Sequence, residues 1–247
     1  MVNLKKYIGV LKLFVIFLTF LFIASCSQKN YQLTKIEGKR ISITDKESQN
    51  QEIEKFVKPY REHINKDLDN ILAYCPETLD KSEGKWQTTI GNLMADVTLQ
   101  RGNLVFKARE KKDINICILN SGGIRSILPK GNVTTRTAFE IMPFENSLVV
   151  IALKGEQIFE LVDYFIVTQK PHPLSGITFT ISKDKTPKNI YYVATNDYLS
   201  NGGDNMNFFN KAIQKYDLDY KLRNVLIDYF KEVDTIPVIR DVRITVE

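Results

Sequence analysis

Apolar residues change their spacing along this chain, and the changes mark its elements. Residues 13–24 form an almost unbroken apolar run, interrupted only by Thr19. Residues 31–44 then alternate loosely about Gly38, with Leu33 and Ile36 before it and Ile41 and Ile43 after it, which predicts two short strands joined by a turn. Helical spacing takes over from Ser48 to about Tyr74, through Ile53, Phe56, Val57, Tyr60, Ile64, Leu68, Ile71 and Leu72. Ser48 with Gln51 makes a capping-box start, Pro59 predicts a kink or a split, and Cys75-Pro76 closes the segment. A second helix is expected over residues 91–100, with Leu93, Met94 and Val97 on one face.

Strand signals dominate the middle of the chain. Residues 114–119 read as a buried strand ending in Asn120-Ser121-Gly122-Gly123, residues 148–153 as another, and residues 135–142 between them as a short helix. Gly155 opens an amphipathic helix in which Ile158, Leu161, Val162, Phe165 and Ile166 share one face. After Pro171-His172-Pro173, residues 176–182 and 190–195 read as paired strands and residues 201–203 as a Gly-rich loop. Leu222, Val225, Leu226, Tyr229 and Phe230 define a late helix, and residues 237–246 alternate as a closing strand. Helices and strands interleave with no repeat, so one α/β or α+β domain is the simplest account.

Composition narrows this further. With 43% apolar and 26% charged residues among 247, the chain is globular, and collagen-like, coiled-coil and wholly disordered classes are excluded. A net charge of +5 hints at nucleic acid or membrane, but the charge is unevenly placed. Residues 1–25 carry Lys5, Lys6 and Lys12 and no acid ahead of the apolar run, which is the layout of an export signal. That run is shorter than the roughly 20 residues of a membrane span. Ile23-Ala24-Ser25-Cys26 resembles a bacterial lipobox, in which Cys26 is acylated and begins the mature chain; an uncleaved anchor or a buried cysteine is the alternative. Residues 1–25 are thus expected to be a lipoprotein signal peptide, with Cys26 and residues 27–30 as acylated residue and tether. Without the signal, 31 basic residues face 29 acidic ones, and the case for nucleic acid largely disappears. Cys75 and Cys117 remain; Cys117 sits in an apolar run and reads as a small buried hydrophobe rather than half of a disulfide.

Three loops have a composition that a core does not require. Asn120-Ser121-Gly122-Gly123-Ile124-Arg125 follows a buried strand; paired glycines let backbone N–H groups approach a ligand, and Arg125 offers a planar fork for phosphate or carboxylate. An ordinary turn with a solvated arginine would look the same. In Met142-Pro143-Phe144-Glu145-Asn146, Phe144 is either displayed as a stacking face or packed in the core. Residues 195–204 combine Tyr198, the Gly202-Gly203 turn and Asp204, a carboxylate able to accept from vicinal hydroxyls or simply to close an Asx-turn. Together they supply two aromatic faces, an anion fork and a diol acceptor, the parts that a nucleoside 5′-phosphate needs.

These stretches resemble the C-terminal, substrate-recognition domain of the 5′-nucleotidase family. The resemblance rests on Gly91-Asn92-Leu93-Met94-Ala95-Asp96, on residues 120–125 with Gly131-Asn132-Val133-Thr134, on Pro143-Phe144 with Asn146, on Leu153-Lys154-Gly155 and on residues 192–204, in the family's order and across nearly the whole mature chain. It implies an α/β (α+β) fold, a single four-layer α/β/β/α domain over residues 31–247. By that resemblance Phe144 and Tyr198 would sandwich the base, Asn120 would sit at the base edge, Arg125 near ribose and phosphate and Asp204 on the ribose hydroxyls. The pairs Gly122-Gly123 and Gly202-Gly203 would give backbone clearance. Tyr198 stands where the family usually has Phe, a change that keeps the ring. Trp86 stands where the family commonly has a phosphate-holding Arg, so the resemblance implies a weaker or differently arranged hold on phosphate.

The family's chemistry belongs to an N-terminal metallophosphatase domain with two divalent metals. This chain has two histidines, His63 and His172, and no metallophosphatase motif, so no catalytic residue, metal ligand or cofactor is expected in it. The resemblance therefore implies the recognition half of a phosphomonoesterase, hydrolytic only together with a separately encoded metallophosphatase that carries the metal pair. A non-catalytic, lipid-anchored nucleotide- or nucleoside-binding protein and a degenerate domain kept for envelope contacts stay open. The expected partners are a nucleoside 5′-phosphate or nucleoside, the phosphatase and, through Cys26, a membrane, with no nucleic acid. Ser27 after Cys26 resembles the sorting signal of outer-membrane lipoproteins facing the periplasm, so the expected location is the bacterial cell envelope.

Overall fold

The computed structural model describes residues 4–23, 33–44, 49–180 and 190–245. Its contacts divide the chain into two units, Met1–Asn50 and Gln51–Glu247. In the first unit the apolar run forms helix α1 (Leu4–Ile23), and no described helix is long and apolar enough to cross a membrane. Cys26, residues 27–30 and Ser48 lie outside the described residues. The expected strand pair about Gly38 does not form: residues 33–44 are irregular, with Leu33, Ile36, Ile41 and Ile43 exposed. A lone two-stranded ribbon buries too little apolar surface to hold its own backbone ladder.

The second unit opens with α2 (Gln51–Leu68), which runs on through Pro59 without a break. Pro59 is exposed, so water can satisfy the carbonyl that proline leaves without a donor. The helix does not reach Tyr74 as its spacing predicts. Asp69-Asn70 stops it, and Ile71–Cys75 becomes β1, antiparallel to β3 (Gly131–Thr134). Thr88 caps α3 (Thr89–Glu110) by accepting the Gly91 N–H, and Lys111 closes it in the left-handed conformation. That helix passes the expected stop near residue 100 because Gly102 gives close clearance to Leu148 of the sheet, and the added turns bury Phe106.

The core is built on five strands in the order β5 (Leu174–Ser175), β2 (Ile116–Ile118), β7 (Ile190–Asn196), β4 (Ser147–Lys154), β8 (Gln214–Lys221). β2 pairs with β7 in parallel, and every other pairing in this sheet is antiparallel. Residues 148–153 of β4 are buried throughout, which is why they read as a continuous apolar run rather than an alternating one. Leu148 and Val150, with Cys117, Ala194 and Leu218, face a core shared with α3 and α7 (Leu222–Glu232). Val149, Ile151 and Leu153, with Ile116, Ile118 and Val193, face the apolar stripe of α5 (Gly155–Thr168). Helices thus cover both faces of a mixed sheet, which agrees with the expected α/β class. A short helix α4 (Thr135–Ile141), with a Thr134/Thr137 capping box, follows β3.

Two strand expectations are corrected. Residues 181 and 182 lie outside the described residues, and residues 176–180 do not pair with 190–195: β6 (Phe179–Thr180) lies parallel to β9 (Ile244–Thr245), while β7 enters the central sheet. Val193 and Ala194 are apolar toward opposite faces, which suits a central strand better than a hairpin arm. The closing strand shrinks from residues 237–246 to β9, because that segment is anchored by side chains instead: Arg243 bonds Asp96 at 2.7 Å and the Leu174 carbonyl. The edge strand β8 was not among the expected strands, although Tyr216, Leu218 and Tyr220 alternate with Lys215, Asp217 and Asp219 and turn toward the core. Cys75 and Cys117 are free and buried, and burial pushes the Cys117 thiol far above its usual range.

Gly176, at the end of β5, has φ +79°, and a Cβ there would lie 2.1 Å from the Asn115 carbonyl oxygen. Gly176→Ala is expected to lower the unfolding free energy by about 2 kcal/mol or more, read as a lower urea midpoint at unchanged m-value.

Candidate functional site

Topology brings the three unusual loops to one edge. Parallel β2 and β7 end there, and antiparallel β4 begins there, with Leu148 opposite Asn196. The segment after β2 supplies Asn120 and the 3₁₀ turn Ser121–Gly123. The segment before β4 supplies Phe144 and Asn146, and the short helix α6 (Asp197–Ser200), directly after β7, supplies Tyr198. Asn120, Gly122, Gly123, Phe144, Asn146 and Tyr198 line a single cleft of about 290 Å³. Phe144 and Tyr198 are 43% and 47% exposed, so both rings are displayed rather than packed into the core.

Each wall is held by polar contacts from behind. Asn196 caps α6 by accepting the Leu199 N–H at 2.7 Å, and its amide donates to Asn120 Oδ1 at 2.8 Å. Asn120 is thereby oriented with its own NH₂ group left for another acceptor. Asn120 Oδ1 lies 3.0 Å from where a Gly123 Cβ would stand, so the turn tolerates little more than glycine there. Lys81 ties the same turn down, donating to the Ile124 and Ser121 carbonyls at 2.7 and 3.3 Å.

The Phe144 loop is clamped from β8 and α7. Lys221 donates to the Glu145 carbonyl at 2.8 Å, and the Leu222 N–H to the Asn146 carbonyl at 3.0 Å. The nearly buried Arg223 stacks 4.0 Å from the Phe139 ring centroid, donates to the Pro143 carbonyl and pairs with Glu145. That hydrogen bond from Arg223 holds the Glu145 carboxyl below its usual range. An arginine so placed combines a cation–π contact with a directed fork, a pairing lysine cannot reproduce.

The remaining expected residues stand around the cleft rather than in its lining. The Arg125 guanidinium lies 5.8 Å from the Phe144 ring centroid and donates to the Gly122 carbonyl at 3.4 Å. Asp204 grips the Tyr198 phenol: the hydroxyl donates to its carboxylate at 2.9 Å, and its N–H donates back to the phenol oxygen at 3.1 Å. One carboxylate oxygen is therefore engaged and the other is left for a ligand. Gly202 turns the chain at φ +83°, and Gly203 lies under the ring, where an added Cβ would meet Tyr198 at 2.6 Å. Trp86 packs, partly buried, on the α5 side of the core, with Lys85 5.1 Å from its ring. Asn146 stood inside a quoted motif without being carried into the expected site. Asn196 likewise lay inside an expected loop with no role of its own, and Arg223 lay in none of the three loops, because their roles depend on partners about 76 to 80 residues away.

Neither histidine stands among metal-ligating neighbours. His63 is exposed on α2, 3.7 Å from Asp67, whereas His172 is 2% exposed. Among the described residues, no group of three or more His, Cys, Asp or Glu side chains is placed to hold a metal ion.

Residues 73–189 match the family model "5′-nucleotidase, C-terminal domain". The trifunctional nucleotide phosphoesterase protein YfkN of Bacillus subtilis (strain 168) is 27% identical over 173 residues, which cover 60% of this chain and 11% of that protein. The 5′-nucleotidase of Vibrio parahaemolyticus serotype O3:K6 (strain RIMD 2210633) is 24% identical over 161 residues, covering 60% and 26%. Among solved structures, the 5′-nucleotidase precursor from Thermus thermophilus superposes with a TM-score of 0.63 at 22% identity, covering 79% of this chain and 42% of that one. The chain spans less than half the length of each of these relatives, and the structural likeness is one of fold.

Gly203→Ala is expected to push the Tyr198 ring off the loop and break its bonds to Asp204. Amide hydrogen exchange checks this: the Asp204 N–H should exchange about tenfold faster or more, while β4 amides keep their protection.

Proposed function

We propose, for a chain that belongs to the 5′-nucleotidase C-terminal domain family, that the cleft is a nucleotide-recognition site serving a phosphohydrolase. The observation that carries the reading is the placement of two half-exposed aromatic rings, Phe144 and Tyr198, in one cleft with the Asn120 amide and the Gly122-Gly123 backbone. A base stacks between the rings and offers its edge to Asn120. The ribose hydroxyls meet the free carboxylate oxygen of Asp204, and Arg125, at the rim beside Phe144, faces the phosphate. The described residues do not fit a dimetal centre, so no hydrolytic step is assigned to them. In this reading a separately encoded metallophosphatase supplies the metal pair that activates water and stabilises the transferred phosphoryl group. Acylation of Cys26 would hold the recognition domain in the cell envelope, at the outer membrane facing the periplasm.

Titration calorimetry with adenosine and adenosine 5′-monophosphate tests recognition. Phe144→Ala and Tyr198→Ala are each expected to weaken binding roughly 5- to 150-fold, the loss of one stacking face. No saturable binding to either ligand by the unaltered chain overturns the reading. A nucleotidase assay with divalent metals separates the hydrolytic role from binding alone. The mixture of this chain and the phosphatase should turn over nucleotide faster than the phosphatase by itself; equal rates leave a binding protein without a catalytic partner. Anchoring has its own check, since radiolabelled palmitate should be incorporated by the unaltered chain and lost in Cys26→Ser. Labelling that persists in the variant rules the anchor out.

A further inference from the structure

A chain of hydrogen bonds runs behind the cleft and joins its two sides. His172 lies between Pro171 and Pro173 with its ring 5.9 Å from Phe165 at 87° and 5.6 Å from Tyr164. Its partners settle its state. The Ser121 N–H lies 3.3 Å from Nδ1 and can only donate, so Nδ1 is an unprotonated acceptor. At the other ring nitrogen, Nε2 is 3.3 Å from the Tyr164 hydroxyl oxygen. The Tyr164 hydroxyl hydrogen is committed to the Asp204 carbonyl at 3.0 Å, and a carbonyl can only accept. The phenol oxygen is therefore left to accept, and Nε2 carries the ring proton. Asp204 continues the chain through its paired bonds to Tyr198.

The two ends of this chain are the two sides of the cleft. Ser121 opens the turn that carries Gly122 and Gly123 next to Asn120, and Tyr198 is one of the displayed rings. We propose that His172 and Tyr164 are positioning residues: as a neutral Nε2–H imidazole and a phenol, they tie the Ser121–Gly123 turn to the Asp204 loop and set Asn120 and Tyr198 at a fixed separation. This rests on reading the cleft as the nucleotide site. A Phe or Leu filling the same space would leave the Ser121 N–H and the Asp204 carbonyl without these partners, at the cost of unmade hydrogen bonds. Protonating His172 would set a second N–H against that of Ser121 and break the chain at its first link. Burial guards against this by lowering the His172 pKa from 6.5 to about 4; Asp204 and then the Leu119 carbonyl pull it up, and Lys170 pushes it further down. The connection therefore holds at neutral pH and fails in acid.

Nitrogen-15 NMR of the intact chain tests the tautomer without any ligand. At pH 7 His172 should show a protonated Nε2 and an unprotonated Nδ1, unchanged on lowering the pH to 5; an Nδ1–H tautomer, or a charged ring at pH 6, overturns the proposal. Tyr164→Phe tests the coupling, because it keeps the ring and removes one hydroxyl. Exchange of the Ser121 amide, on the far side of His172, should accelerate about tenfold, and an unchanged rate overturns the connection. Affinity for adenosine 5′-monophosphate should fall about tenfold, with the thermal midpoint within a few degrees of the unaltered chain. Unchanged affinity, in a chain that binds, overturns the positioning role. If the unaltered chain binds no nucleotide, the functional reading fails, and the tautomer and the Ser121 exchange rate still decide whether the connection exists.

Discussion

The seven backbone pairings that join β4 to β7, from Leu148 opposite Asn196 to Lys154 opposite Ile190, set where every loop of the cleft leaves the sheet. Because β2 runs parallel to β7 and β4 antiparallel to both, two strand ends and one strand start meet at a single edge. A slip of one residue would exchange the faces of β4, sending Val150 toward α5 and Ile151 toward α3. Both faces are apolar, so hydrophobicity alone resists that slip weakly. The ends of the strands supply what is missing: Asn196 is committed to capping α6, and the Leu222 N–H holds the Asn146 carbonyl just before β4 begins.

A cleft built on displayed aromatics has a structural cost. Phe144 and Tyr198 leave much of their apolar surface in water, so burial does little to hold either ring in place. Polar contacts hold them instead. Arg223 and Lys221 reach the backbone around Phe144, Asp204 grips the Tyr198 phenol, and Asn196 orients Asn120. The bonds from Arg223 and Lys221 end on backbone carbonyls, which fix loop geometry more firmly than contacts between two mobile side chains. Glycines stand where those bonds pull the chain tight: Gly203 beneath the Tyr198 ring and Gly123 against Asn120.

Elements that carry their own periodicity were legible from the residues. The α5 stripe, the capped α4, the late helix α7 and the all-apolar β4 follow their patterns closely, because each buries a face whose spacing is written locally. Elements that exist only by pairing were not. Residues 71–75 continue a helical spacing yet form β1, since β3 offers them a ladder about sixty residues further on. Residues 33–44 alternate like strands but lack a third strand or a covering face. The site divides in the same way: its lining residues were recognisable by type, while Asn196, Arg223 and Tyr164 look like ordinary polar and aromatic positions until their partners are in view.

The sequence by itself determined the mixed α/β class, the two-sided burial of β4, and the residue types that end up in one cleft: an amide, paired glycines and two aromatics. Only the tertiary structure decided which strands pair, that Phe144 and Tyr198 are displayed rather than buried, and that His172 sits neutral behind them. The reason is physical. Apolar periodicity is a property of neighbours in the chain, whereas a backbone ladder, a ring's exposure and the proton on a buried imidazole are each set by groups that only folding brings within hydrogen-bonding distance.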